Sequence, residues 1–209
     1  MGGFDNAKIV KINNKEVDSI KTNDGTIIYQ RPVIATVNGS SVQLGYPGTQ
    51  WLVTNGNVIV DWGDETQSTV NNPNQKLNHT YNDGKLNHNI TFLRTVTSLG
   101  SGCFYNYAGL TSVIIPSSVT SLGRDCFYNC TGLASITIPS SVTSLGDGCF
   151  RECTNLTNYQ LYWTGNNIIT YDSNKMPNNT NTKFYVPSGQ KTNYVNKGYP
   201  SAKVIERSS

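Results

Sequence analysis

The sequence predicts a mostly β protein: a short solenoid of repeats with a terminal cap, preceded by a small β-sandwich and an N-terminal β-hairpin. Three observations carry this. Of 209 residues, 26 are Asn, 19 Ser and 23 Thr, while only 14% are charged. Small polar side chains compete with the backbone inside helices and favour turns and strand surfaces. Short β-branched runs recur between Gly and Asn turns, as strands require. Finally, from residue 96 to 161 the chain repeats itself every 23 residues.

The repeat is ungapped. Val96-Thr-Ser-Leu-Gly100 recurs as Val119-Thr-Ser-Leu-Gly123 and Val142-Thr-Ser-Leu-Gly146. Cys103-Phe104, Cys126-Phe127 and Cys149-Phe150 follow, then Leu110, Leu133 and Leu156. Strands are expected at Val113-Ile-Ile-Pro116, Ile136-Thr-Ile-Pro139 and Tyr159-Gln-Leu161. A unit this short buries too little apolar surface to offset its own ordering entropy, so neighbours must stack and identical positions must form ladders. The five cysteines fit that rule. Their odd number and the C-x3-C spacings at 126/130 and 149/153 allow a metal-ligand reading. The repeat accounts for them more simply as two buried ladders, 103/126/149 and 130/153, with Tyr107 in the second column of the first unit. No metal and no cofactor are expected.

Leu110-x-x-Val113-x-Ile115 and Leu133-x-x-Ile136-x-Ile138 match the L-x-x-L-x-L core of leucine-rich repeats. The whole unit, Ile-Pro-Ser-Ser-Val-Thr-Ser-Leu-Gly-x-x-Cys-Phe-x-x-Cys-x-x-Leu, resembles the BspA-type leucine-rich repeat over residues 96–161. The family more often carries Ala where Cys103, Cys126 and Cys149 precede the Phe. The resemblance implies a surface protein of a host-associated microbe or of a eukaryotic parasite. Residues 162–209 leave the period. Lys183-Phe-Tyr-Val-Pro-Ser188, Tyr194 and Lys203-Val-Ile-Glu206 resemble the family's terminal cap, with Pro187 and Ser188 opening a short helix.

Residues 33–95 read as strands at Val33–Val37, Ser41–Leu44, Asn57–Val60 and His88–Phe92, which suggests a small sandwich. Val60-Asp-Trp-Gly-Asp64 and His79-Thr-Tyr81-x-Asp-Gly84 resemble the signatures of polycystic-kidney-disease (PKD) type immunoglobulin-like domains. Glu65 stands where that family usually has a second glycine. The resemblance implies structural roles: Trp62 in the core, Asp64 bracing a turn, Tyr81 packed near a later strand. Residues 1–32 hold two alternating runs, Lys8–Ile12 and Thr26–Tyr29, linked through Asn13-Asn14 and Asp24-Gly25, which read as one hairpin. A lone hairpin is marginal in water. It is expected to pack on the sandwich or a partner, making this the segment through which any oligomer would form. Its pattern loosely resembles N-terminal attachment modules of viral tail and surface proteins.

Little in the chain points to chemistry. A formal charge of +3, with the basic residues dispersed, lacks the stripe that nucleic acid requires. No apolar run reaches membrane-spanning length, and Met1 to Val10 lacks a signal-peptide apolar segment. The missing leader favours a virion over a cell surface, because a tail protein leaves by lysis. Cysteines and histidines fall in different segments, and no nucleophile elbow, P-loop, zinc-protease or dinucleotide motif occurs. Asp61, Asp64 and Asp83 are too few and scattered for calcium. His79 and His88 lack companions for zinc. What remains is surface. The outward strand positions Ser112, Ile114, Ser135, Thr137, Asn158 and Gln160 form one repeated face, and Tyr105, Tyr128 and Arg151 form a second column. The expectation is a non-enzymatic recognition or adhesion module that binds a cell-surface protein or glycan. The rival expectation is a structural spacer in a larger surface or virion protein.

Overall fold

Alternating and β-branched runs become strands throughout. The structure, a computed structural model, describes residues 11–12, 15–16, 19–21, 27–30, 33–45, 50, 52–54, 58–70, 76–92, 96–176 and 180–208. Residues 8–10 of the first expected run, Asn13-Asn14 and Asp24-Gly25 lie outside these. Near the start, β1 (Lys11–Ile12) pairs antiparallel with β2 (Lys15–Glu16), and β3 (Ser19–Lys21) with β4 (Ile27–Gln30). The expected single hairpin is therefore two ladders. The Ile27–Tyr29 run takes the nearer Ser19–Lys21 as partner, which closes a shorter loop than pairing with Lys11-Ile12.

Seven strands follow: β5 (Val33–Asn38), β6 (Ser41–Leu44), β7 (Leu52–Thr54), β8 (Val58–Asp61), β9 (Gln67–Val70), β10 (Leu77–Thr80) and β11 (Asn87–Phe92). β5 and β11 pair antiparallel along their whole length, from Val33↔Phe92 to Asn38↔Asn87. β8 joins β11 and carries β9, while β6 pairs with β10. Side chains alternate as the pleat dictates, so His88, Ile90 and Phe92 of β11 point inward. Trp62, just past β8, is fully buried. Its Nε1 donates to Ser68 Oγ at 2.9 Å, and Tyr81 donates to its carbonyl at 3.1 Å.

The repeated segment supplies β12 (Val96–Leu99), β13 (Leu110–Ile114), β14 (Ser121–Leu122), β15 (Ser135–Ile138), β16 (Ser144–Leu145) and β17 (Asn158–Leu161). After it come β18 (Lys183–Val186), α1 (Lys191–Asn196) and β19 (Val204–Glu206). Two parallel ladders result. β12, β14 and β16 stack with Leu99, Leu122 and Leu145 in register. β15, β17, β18 and β19 form the other ladder. The earlier strands join both sets. β7 lies antiparallel on β12, and β13 pairs antiparallel with β5, Val113 opposite Ala35 and Ile114 opposite Ile34. The buried apolar side chains form one continuous core from Val33 to Val204.

The repeated columns sit inside that core. Phe104, Phe127 and Phe150 stack nearly parallel at 5.4 and 5.2 Å. All five cysteines are free and buried. Cys130 and Cys153 donate to the carbonyls of Phe104 and Phe127, one repeat back, at 3.1 and 2.9 Å. Tyr107 occupies the Cys130 column in the first unit and there meets an earlier strand, its hydroxyl donating to the Ser41 carbonyl at 3.4 Å. Beyond the repeats, Trp163 Nε1 donates to the Val142 carbonyl at 2.6 Å and Tyr194 to the Trp163 carbonyl at 3.0 Å. The expected helix begins at Lys191, three residues after Ser188. Glu206 of β19 accepts the Lys191 amide at 2.7 Å.

Candidate binding groove

Within each repeat strand the apolar positions turn inward and the intervening ones outward. Ser112, Ser135 and Thr137 are exposed, while Ile114, Asn158 and Gln160 are half-buried. The structure does not hold these six on one unbroken sheet. β13 is the edge of the sheet it shares with β5, and β15 is the edge of the parallel ladder. Among the described residues no ladder joins the two. They close together at their starts, where Gly132 packs on the Leu110 carbonyl so tightly that a Cβ would sit 2.8 Å from it. Residues of both strands line a groove of about 540 Å³. Ser112, Ile114, Ser135 and Thr137 line it, together with Val113, Ile115, Ser117, Pro139, Ser140 and Tyr162. Asn158 lines a different hollow, beside Lys183 and Ile205. Gln160 accepts from Arg207 Nη1 at 3.3 Å.

The strand pattern does not single out Tyr162, which lines the groove, or Arg207, which lies against Tyr162. Tyr162 is 47% exposed, one of few large side chains so open among the described residues. The Arg207 guanidinium lies over one face of its ring, 3.8 Å from the centroid, and is fixed by donating to the Leu161 carbonyl at 2.6 Å. A signal did exist: Pro116 and Pro139 recur 23 residues apart, and the next position in that column is Tyr162.

The second predicted column is partly assembled. Tyr105 and Tyr128 stack at 4.9 Å and are half-buried, whereas Arg151 is exposed and pairs with Glu152 at 3.6 Å. Asp61, Asp64, Asp83, His79 and His88 pair with one another or with nearby donors. Asp61 accepts from the Gly63 amide at 2.9 Å and from Gln67. His79 Nε2 meets Asp64 at 2.8 Å, and His88 Nε2 meets Asp83 at 3.0 Å. Burial pushes the Asp64 carboxyl up, yet hydrogen bonds from Thr66 and His79 outweigh it and hold the group below the ordinary carboxylate range. The Lys85 amide, with His88, does the same for Asp83. Among the described residues no three His, Cys, Asp or Glu side chains gather as a metal would need.

A family model of the BspA-type leucine-rich-repeat region matches residues 78–196, in six copies. The chain belongs to the BspA-type leucine-rich-repeat family. The match reaches beyond the ungapped period at 96–161, into β10 and β11 on one side and through α1 on the other. BspA-type repeats generally serve protein interaction or adhesion and are typically surface-associated. No curated protein and no solved structure matches the chain. Four thiols of these BspA-type units are poor nucleophiles: burial pushes Cys126, Cys130 and Cys149 well above the ordinary thiol value and Cys153 up to about 12.

Proposed function

We propose that the chain is a non-enzymatic recognition or adhesion module of a microbial surface or virus tail protein. It acts outside the cell and binds a protein or glycan through the strand face of its repeats. On this reading residues 96–161 are a solenoid, 162–209 its cap, 33–95 a PKD-like sandwich seating the first unit, and 1–32 an attachment and oligomerisation segment. The carrying observation is the groove between β13 and β15, lined by four of the six residues that repeat periodicity alone assigned to the binding face. The reading needs no cofactor, metal, nucleic acid or membrane insertion. Dispersed charge argues against a nucleic-acid partner, and among the described residues no helix is long and apolar enough to cross a membrane.

Labelled protein bound to intact cells or particles tests it. Thr137→Arg places a cation in the groove at an exposed position and is expected to abolish binding while leaving the fold intact. Tyr128→Ala, on the other column, is expected to leave binding unchanged. The reverse pattern moves the site to the aromatic column, where loss of a stacked ring would cost about 1–2 kcal/mol of affinity. If both variants bind like the parent, the chain is a spacer.

A further inference from the structure

Hydroxyls on the two faces of the repeat have different fates. On the β12–β14–β16 side several are spent within the ladder. Ser121 donates to Ser98 at 2.7 Å, Ser98 to the Ser121 carbonyl, and Thr120, Thr143 and Ser141 to carbonyls one unit back. In the groove the opposite holds. Among the described residues no hydrogen bond engages the side chains of Ser112, Ser117, Ser135, Thr137 or Ser140. No charged side chain lines the groove, and one aromatic ring does.

We propose that this groove binds an uncharged saccharide, a proposal that rests on the reading of the groove as the recognition site. Neutral hydroxyls that both donate and accept match the vicinal hydroxyls of a sugar ring. Tyr162, 47% exposed and lining the groove, offers aromatic surface for the ring's C–H groups. Arg207 lies over one face of that ring and is itself bonded to the Leu161 carbonyl, so little side-chain freedom is lost on binding. The volume suits a ligand of a few hundred Å³ rather than a large apolar one. An acidic sugar or a nucleic acid would find no cation among the lining residues. Arg207 is a positioning residue here, and Tyr162 is the contact.

The experiment uses the full chain, its Tyr162→Ala and Thr137→Arg variants, and Tyr128→Ala as a control. Each is applied to an array of immobilised neutral and acidic oligosaccharides and to a matched array of immobilised extracellular proteins. Native near-UV circular dichroism is required of every variant. The expected result is parent binding to neutral glycans only, weakened about tenfold by Tyr162→Ala and lost in Thr137→Arg, with Tyr128→Ala unchanged. Binding to proteins alone, still lost in Thr137→Arg, overturns the saccharide and keeps the groove as the site. Glycan binding indifferent to both groove variants overturns the site itself. Silence on every glycan overturns the saccharide assignment.

Discussion

Two positions in each repeat hold the backbone in the left-handed region. Gly102, Asp125 and Gly148 have φ of 64°, 52° and 66°, and Asn106, Asn129 and Glu152 have φ of 59°, 53° and 62°. Gly and Asn tolerate this conformation, while a longer side chain carries a cost of about 1–2 kcal/mol. Asn adds a bond, Asn129 Nδ2 donating to Asn106 Oδ1 at 2.5 Å. Glu152 breaks the column and gains only an exposed ion pair with Arg151, worth little. Glu152→Asn is therefore expected to stabilise the protein by about 0.5–1 kcal/mol. A rise in the urea midpoint at unchanged slope checks this. A fall would mean that the Glu152 carboxylate matters more than its backbone strain.

Between elements, the close approach of successive turns depends on the glycines that end each Val-Thr-Ser-Leu-Gly segment. A Cβ on Gly123 would lie 2.5 Å from the Gly100 carbonyl carbon and 2.6 Å from the Ser101 nitrogen, and one on Gly146 would collide with Gly123 and Arg124. These neighbours are backbone and cannot step aside. Gly123→Ala is expected to cost about 3 kcal/mol, the upper end of overpacking, and Ser121→Ala, which loses one side-chain bond, about 1 kcal/mol. Chemical denaturation of the two variants side by side measures the ratio. Equal small losses would show that the units can separate. The glycine column, the cysteine and phenylalanine columns and the inward leucines were all legible in the sequence, because stacking imposes the same environment every 23 residues. The partner of β13 was not. Its Leu-x-x-Val-x-Ile pattern serves a parallel neighbour and the antiparallel β5 equally well, since either pairing buries the same alternate side chains. The rest of the groove lining is hidden for a related reason: β13 and β15 each end a separate sheet, and Tyr162 stands outside the apolar period.

Across the whole molecule, strand pairing crosses from β5 to β13 and from β7 to β12, so titratable groups buried far apart in sequence share one core. Burial raises the thiols of Cys126, Cys130, Cys149 and Cys153, and the phenols of Tyr81, Tyr107, Tyr159, Tyr194 and Tyr199. Cys153 rises from 9.0 to about 12 and Tyr107 from 10.0 to about 12. These groups are neutral when protonated, so the folded chain keeps protons that the unfolded chain releases. Stability is therefore full below the unfolded values. It falls as pH climbs past 9 for the thiols and 10 for the phenols, by about 1.4 kcal/mol per pH unit for each titrating group, until the folded value is reached. The expected urea midpoint is flat from pH 6 to about 8 and drops steeply above 9. Because the core is continuous, the drop is expected as a single transition, with near-UV and far-UV circular dichroism coincident at each pH. Replacing Cys126 and Cys149 by Ala, as the family's usual residue before the Phe allows, removes two of the titrating thiols and should shallow the slope between pH 9 and 10. A slope unchanged by that double substitution would show that Cys126 and Cys149 do not carry the alkaline loss, and two separated transitions would show that the first strands and the repeats unfold independently.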